Sequence, residues 1–108
     1  MPRQIKSEDL AAKLKAGQPA FIVDVREGWE REIARIPDQL FVPLDDLPAR
    51  AAEIAPPQGV PVVLYCHAGV RSFQAAAFLE QQGLKEVYSL LGGIDDWSVS
   101  VDPSVPRY

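Results

Sequence analysis

The sequence predicts an α/β fold in which a central parallel sheet is covered by helices on both faces. Two observations lead there. Strand-length apolar runs alternate with helical segments along the chain, the order expected of α/β domains. The strand runs are also apolar throughout, not at every second residue, as in strands buried on both faces. With 108 residues the chain suits one domain, since domains usually run about 50–250 residues. The expectation is a single unit over 1–108, with its core at about 7–97 and an irregular tail at 98–108.

The elements follow in order. Ser7 is placed to cap a helix whose Leu10, Ala11 and Leu14 mark one apolar face. Gly17 falls where that helix needs a left-handed residue to stop. Residues 20–25 read as a buried strand, with β-branched Ile22, Val23 and Val25. Residues 29–34 allow a helical turn or two before Pro37, and 40–42 form a second short strand. Residues 43–54 suggest short helical pieces broken by Pro48, and 55–59 are a loop by composition. Residues 62–65 form the strongest strand, 66–71 a loop, and 72–82 an alanine-rich helix ended by Gly83. A strand at 86–90, a turn at Gly92-Gly93 and the start of a short helix at 94–97 complete the pattern. Pro103 and Pro106 make the rest of the tail irregular.

Composition excludes several classes. The chain is 47% apolar with a net charge of −4, too apolar and too weakly charged for a disordered protein. Its longest apolar run, 60–66, contains Pro61 and is far short of the ~20 residues of a membrane helix. The first nine residues lack an apolar signal region, and neither end carries a lipidation signal. A mildly acidic chain without a basic cluster argues against nucleic-acid backbone binding. One cysteine, Cys66, precludes an internal disulfide and suits a reducing compartment. The expectation is a cytoplasmic protein without membrane or nucleic-acid partners, as a monomer or a homodimer.

In parallel sheets, ligands bind beyond the carboxyl ends of the strands. Two such ends carry chemistry: Asp24-Val25-Arg26, and Cys66-His67-Ala68-Gly69-Val70-Arg71. Cys66 directly follows the strongest strand and precedes a helix, through a connection containing Ala68 and Gly69. A tight loop of this kind can curl its N–H groups inward into an anion-binding nest, and the helix N-terminus adds its unpaired donors. The nucleophilic form of cysteine is the thiolate, which such a field favours. Arg71 and His67 add donors or positive charge. Taken singly these residues have plain readings: a small buried cysteine, an exposed loop histidine, a solvated arginine. One histidine and one cysteine make no metal site. The succession of thiol, glycine loop, arginine and alanine-rich helix is what favours a reactive thiol.

The string Val63-Leu64-Tyr65-Cys66-His67-Ala68-Gly69-Val70-Arg71-Ser72 resembles the active-site loop of rhodanese-like domains. Asp24-Val25-Arg26-Glu27 upstream and Leu91-Gly92-Gly93-Ile94-Asp95-Asp96-Trp97 downstream resemble the same family, with Ile36-Pro37 and Val42-Pro43-Leu44 in order between them. One stretch departs. Where the family often has Gly-His-Ile-Pro-Gly-Ala, this chain has Ala34-Arg35-Ile36-Pro37-Asp38-Gln39, so no role falls to that histidine.

The resemblance implies a three-layer α/β/α rhodanese-like fold with a mainly parallel sheet of about five strands. It implies a sulfurtransferase without cofactor or metal. The thiolate of Cys66 takes a sulfane sulfur from thiosulfate or another donor and passes it, as a persulfide, to cyanide, a thiol or a sulfur-relay protein. Residues His67, Ala68, Gly69, Val70 and Arg71 form the binding loop, Ser72 supports it, Asp24 and Arg26 brace the neighbouring strand end as an ion pair, and Trp97 packs against the body of the fold. Rivals share the fold. Phosphatases and arsenate reductases separate cysteine and arginine by five residues, whereas four separate Cys66 from Arg71, a shorter cradle. A dedicated sulfur carrier or a non-catalytic regulatory module is the other alternative.

Overall fold

In the computed structural model, residues 2–108 are described. The predicted sheet is present, with five strands, all parallel, in the order β1-β5-β4-β2-β3. These are β1 (Arg3–Ile5), β2 (Phe21–Asp24), β3 (Leu40–Phe41), β4 (Val62–Tyr65) and β5 (Val87–Leu90). Central β4 is buried along its whole length and lies between β2 and β5, with Val23 opposite Leu64 and Leu64 opposite Ser89.

The helices are α1 (Ser7–Lys15), α2 (Gly28–Ile33), α3 (Leu47–Arg50), α4 (Val70–Gln81) and α5 (Gly93–Ser100). Alternation along the strands sorts side chains into two cores. On one face Val23, Val62, Leu64 and Val87 pack with Leu47, Ala75, Ala76 and Leu79 of α3 and α4. On the other, Ile22, Val63, Tyr65 and Leu90 pack with Leu10, Ile94 and Trp97 of α1 and α5. Both faces are therefore covered, which is why the strands are apolar at every position. No helix among the described residues is long and apolar enough to cross a membrane.

Several boundaries differ from expectation, each for a local reason. Strand β1 lies ahead of the expected core at 7–97. Its three residues Arg-Gln-Ile carry no strand pattern of their own, and pairing of Ile5 with Leu90 defines it. Ser7 is not a cap. The helix begins at Ser7 itself, and its fully buried hydroxyl makes no hydrogen bond. Pro48 does not break a helix either: it sits in the first turn of α3, where its missing N–H is not needed. Helix α4 starts at Val70, not 72, because Gly69 at φ +106° turns the chain directly from loop to helix. That moves Val70 and Arg71 from the expected loop into the first helical turn. The tail is not irregular from 98. Helix α5 continues to Ser100, and Ser98 Oγ donates to Val105 O at 2.6 Å. Val105 is buried, so the following residues fold back onto the body.

Candidate active site

Cys66 leaves β4 on the α4 side of the sheet, in register with Val62 and Leu64, and is 1% exposed. Gly69 N–H donates to Cys66 Sγ at 3.1 Å and Ser72 N–H donates at 3.3 Å. The Ser72 hydroxyl is 3.4 Å from the sulfur. No protein acceptor meets the N–H groups of His67, Ala68, Val70 and Arg71 among the described residues. The N–H groups that reach the sulfur are those of Gly69 and Ser72, and the first turn of a 12-residue helix adds its dipole. The arrangement can hold negative charge on sulfur.

Helix α5 seats the loop from the other side. Ile94 N–H donates to Cys66 O at 2.9 Å and Asp95 N–H donates to His67 O at 3.1 Å. Gly93 makes this approach possible. It adopts φ +62°, and a Cβ there would lie 2.5 Å from Cys66 O and overlap His67 O. The sequence showed Gly92-Gly93 as a turn; its further role is to let two backbones meet.

Arg71 is engaged by Glu30 of α2. Nη1 donates to Oε2 at 2.6 Å and Nη2 to Oε1 at 2.8 Å. Glu30 is 2% exposed, and it also accepts Glu27 N–H at 2.9 Å and the Tyr108 hydroxyl at 2.8 Å. Burial pushes its carboxyl pKa up, but Arg71, the backbone at Glu27 and Tyr108 together outweigh that and lower it to about 2. The Glu30 hydrogen bond in turn holds Arg71 above its ordinary range against burial.

Asp24 and Arg26 are both fully buried. Arg26 Nε and Nη2 each donate to the Asp24 carboxylate at 2.9 Å. Nη2 also donates to Ala34 O at 2.7 Å, and Nη1 to the Tyr108 hydroxyl at 3.0 Å. The pair ties the end of β2 to the end of α2. His67 stacks on Tyr108 with ring centroids 4.1 Å apart. In the stretch without the family histidine, Asp38 accepts hydrogen bonds from Arg31 at 2.8 Å and Tyr65 at 2.7 Å, while Gln39 Oε1 accepts Ile22 N–H at 2.6 Å. These residues hold the sheet edge.

The structure thus brings Cys66, Gly69 and Ser72 together around the sulfur, with Arg71 turned to Glu30, His67 to Tyr108, and Asp24 and Arg26 to each other. Sequence reading missed Glu30, Ser89 and Tyr108. Only Glu30 had a signal, since Glu27 and Glu30 form a capping box at the start of α2.

The rhodanese-like domain profile matches residues 6–100. The chain belongs to the rhodanese-like domain family. A sulfurtransferase of Allochromatium vinosum is 41% identical over 98 residues, covering 91% of this chain and 90% of that protein. The adenylyltransferase and sulfurtransferase MOCS3 of Drosophila yakuba is 33% identical, covering 97% of this chain but only 24% of its own length. Among solved structures, a rhodanese-like domain protein of Staphylococcus aureus superposes with a TM-score of 0.80 at 26% identity, over 98% of both chains. The thiol-bearing segment described above is thus the loop of a rhodanese-like domain. Among its described residues, no three His, Cys, Asp or Glu side chains cluster as metal ligands would.

Proposed function

We propose that the protein is a sulfurtransferase that carries a sulfane sulfur as a persulfide on Cys66. The observation that carries this reading is the pair of backbone donors, Gly69 N–H and Ser72 N–H, on a buried sulfur at a helix N-terminus. Sulfurtransferase names among its relatives support it.

Loading and unloading are two displacements at sulfur. The Cys66 thiolate attacks the outer sulfur of thiosulfate; a new S–S bond forms, the old one breaks, and sulfite leaves with the bonding pair. The charge of −3 is conserved as persulfide anion plus sulfite dianion. Cyanide or a thiolate then attacks the terminal sulfur, and Cys66 departs as thiolate with thiocyanate or a new persulfide as product. Each state on the enzyme is an anion, which fixed N–H donors stabilise without reorganising. Because Glu30 engages Arg71, the field at the sulfur comes from the Gly69 and Ser72 N–H groups and the N-terminus of α4. With one cysteine in the sequence, the persulfide passes to an external acceptor, either a small thiol or a sulfur-relay protein. A reducing compartment such as the cytoplasm suits that acceptor chemistry.

The same features weigh against phosphoryl chemistry. Four residues separate Cys66 from Arg71, and the guanidinium that would clamp a tetrahedral anion is bidentate to a carboxylate. The test is intact mass after incubation with thiosulfate. One added sulfur atom is expected, removed by cyanide and absent in Cys66→Ser. No gain from thiosulfate or any other sulfane donor rejects the proposal, and faster turnover of an aryl phosphate than of thiosulfate favours the phosphatase.

A further inference from the structure

We infer that Ser89 is a positioning residue for the Cys66 sulfur, acting through Ser72 to aim a hydroxyl proton at the thiolate. Ser89 lies on β5, opposite Leu64 of β4, and is completely buried. Its Oγ is 2.7 Å from Ser72 Oγ, its one side-chain partner among the described residues. Ser72 Oγ has two further neighbours, Gly69 O at 3.3 Å and Cys66 Sγ at 3.4 Å. The three groups form one chain from sheet to sulfur, closed to solvent at Ser89, Ser72 and Cys66 alike.

Counting protons sets the direction. Each hydroxyl has one hydrogen to give and lone pairs to receive. If Ser72 donated to Ser89, the Ser89 hydrogen would be buried without an acceptor, which is costly. Ser89 therefore donates to Ser72, and the Ser72 hydrogen is left for Gly69 O or for the sulfur. While Cys66 is a thiol, its S–H points to Ser72 Oγ and the Ser72 hydrogen rests on Gly69 O. When the thiolate forms, that hydrogen turns to Sγ and joins the two backbone donors. The thiolate is the attacking group on loading and the leaving group on unloading, so the turn assists both steps. Ser89 never touches the sulfur. It donates to the Ser72 oxygen and so polarises the Ser72 O–H that turns to the sulfur.

The inference rests on the sulfur-transfer reading for its purpose but not for its test, because alkylation of Cys66 needs no sulfur donor. The titratable groups around the loop, Arg71 with Glu30, His67 with Tyr108, and Asp95 with Arg107, are the same residues in every protein compared. The experiment is the rate of iodoacetamide alkylation of Cys66 against pH, in native protein and in Ser89→Ala, Ser89→Thr and Ser89→Val. Threonine and valine share a shape and differ by the hydroxyl, so any packing cost is common to both. The Ala and Val curves are expected several-fold lower on their rising limb, displaced to more alkaline pH, and rejoining the native plateau. The Thr curve is expected near the native one. Ala and native curves that overlay would overturn the inference. So would Thr and Val curves that coincide, or a plateau lowered without displacement. Alkylation results as expected, together with no sulfur uptake from any donor, would leave this hydroxyl chain standing and reject the transfer reading alone.

Discussion

At Glu30 a buried carboxylate is held ionised by donors from three segments: the Arg71 guanidinium, the Glu27 N–H and the Tyr108 hydroxyl. Its hydrogen bonds do two jobs. They start α2 through the capping box and they fix the side chain of Arg71 beside the thiol loop. The carboxyl is lowered from an ordinary 4.5 to about 2. A depressed carboxyl contributes stability that is complete above the unfolded value and lost as pH falls through the folded one. The contribution of Glu30 is therefore full at neutral pH and drains away between 4.5 and about 2. Glu30→Gln removes the charge and turns an amide N–H₂ toward Arg71. It is expected to cost about 1–3 kcal/mol near neutrality, the range for a buried hydrogen-bonded group left ill-matched. Urea unfolding of both proteins from neutral to about pH 3 checks this. The gap between them should narrow as pH falls, and a constant gap would mean that the Glu30 charge is not what stabilises this corner.

Two helix N-termini meet at the loop, α4 from above and α5 from behind, and glycines permit both. Gly93→Ala places a methyl against Cys66 O and His67 O at a left-handed φ. The backbone strain alone costs about 1–3 kcal/mol, and the overlap must be relieved by moving the loop off α5. A lowered melting temperature is expected, together with loss of sulfur uptake at temperatures where the variant is still folded. Full uptake in a destabilised variant would separate the seat of the loop from its chemistry. Local elements of this kind were partly legible in the sequence. The strand at 62–65 shows itself because both faces of the sheet are covered, and the succession from Cys66 to Ser72 shows a thiol entering a helix. The glycine pair signals a turn, yet nothing local says which backbone it admits. Strand β1 is invisible because its pattern belongs to its partner β5. The Arg71–Glu30 pair spans 41 residues, and Ser89 meets Ser72 only through the β4–β5 register. Pairings of that range are products of the sheet order, which periodicity does not reveal.

Across the whole molecule, the carboxyl ends of the parallel strands are tied by one polar network. Asp24 and Arg26 close the end of β2, Tyr65 at the end of β4 reaches Asp38, and Arg31 joins Asp38 to Asp24. Tyr108 links this set to the loop. Its hydroxyl accepts from Arg26 and donates to Glu30, while its ring lies on His67. Burial and Glu30 push its pKa to about 12 against the pull of Arg26, so it keeps its proton for Glu30 at neutral pH. The residue thus holds the loop at two places, at His67 by stacking and at Arg71 through Glu30. The two contributions separate by substitution. Tyr108→Phe keeps the ring on His67 and leaves Arg26 and Glu30 each short of a partner, a cost of about 1–3 kcal/mol. Tyr108→Ala loses the ring as well. Hydrogen exchange of the Gly69, Ser72, Ile94 and Asp95 amides, whose hydrogen bonds seat the loop, compared with global unfolding, reads the difference. The Phe variant is expected to lose global stability with little extra local opening of the loop. The Ala variant should show faster exchange at those four amides beyond what its global stability explains, and slower sulfur uptake from thiosulfate. Equal local exchange in the two variants would mean that the ring on His67 does not restrain the loop, leaving the hydroxyl as the whole contribution of Tyr108.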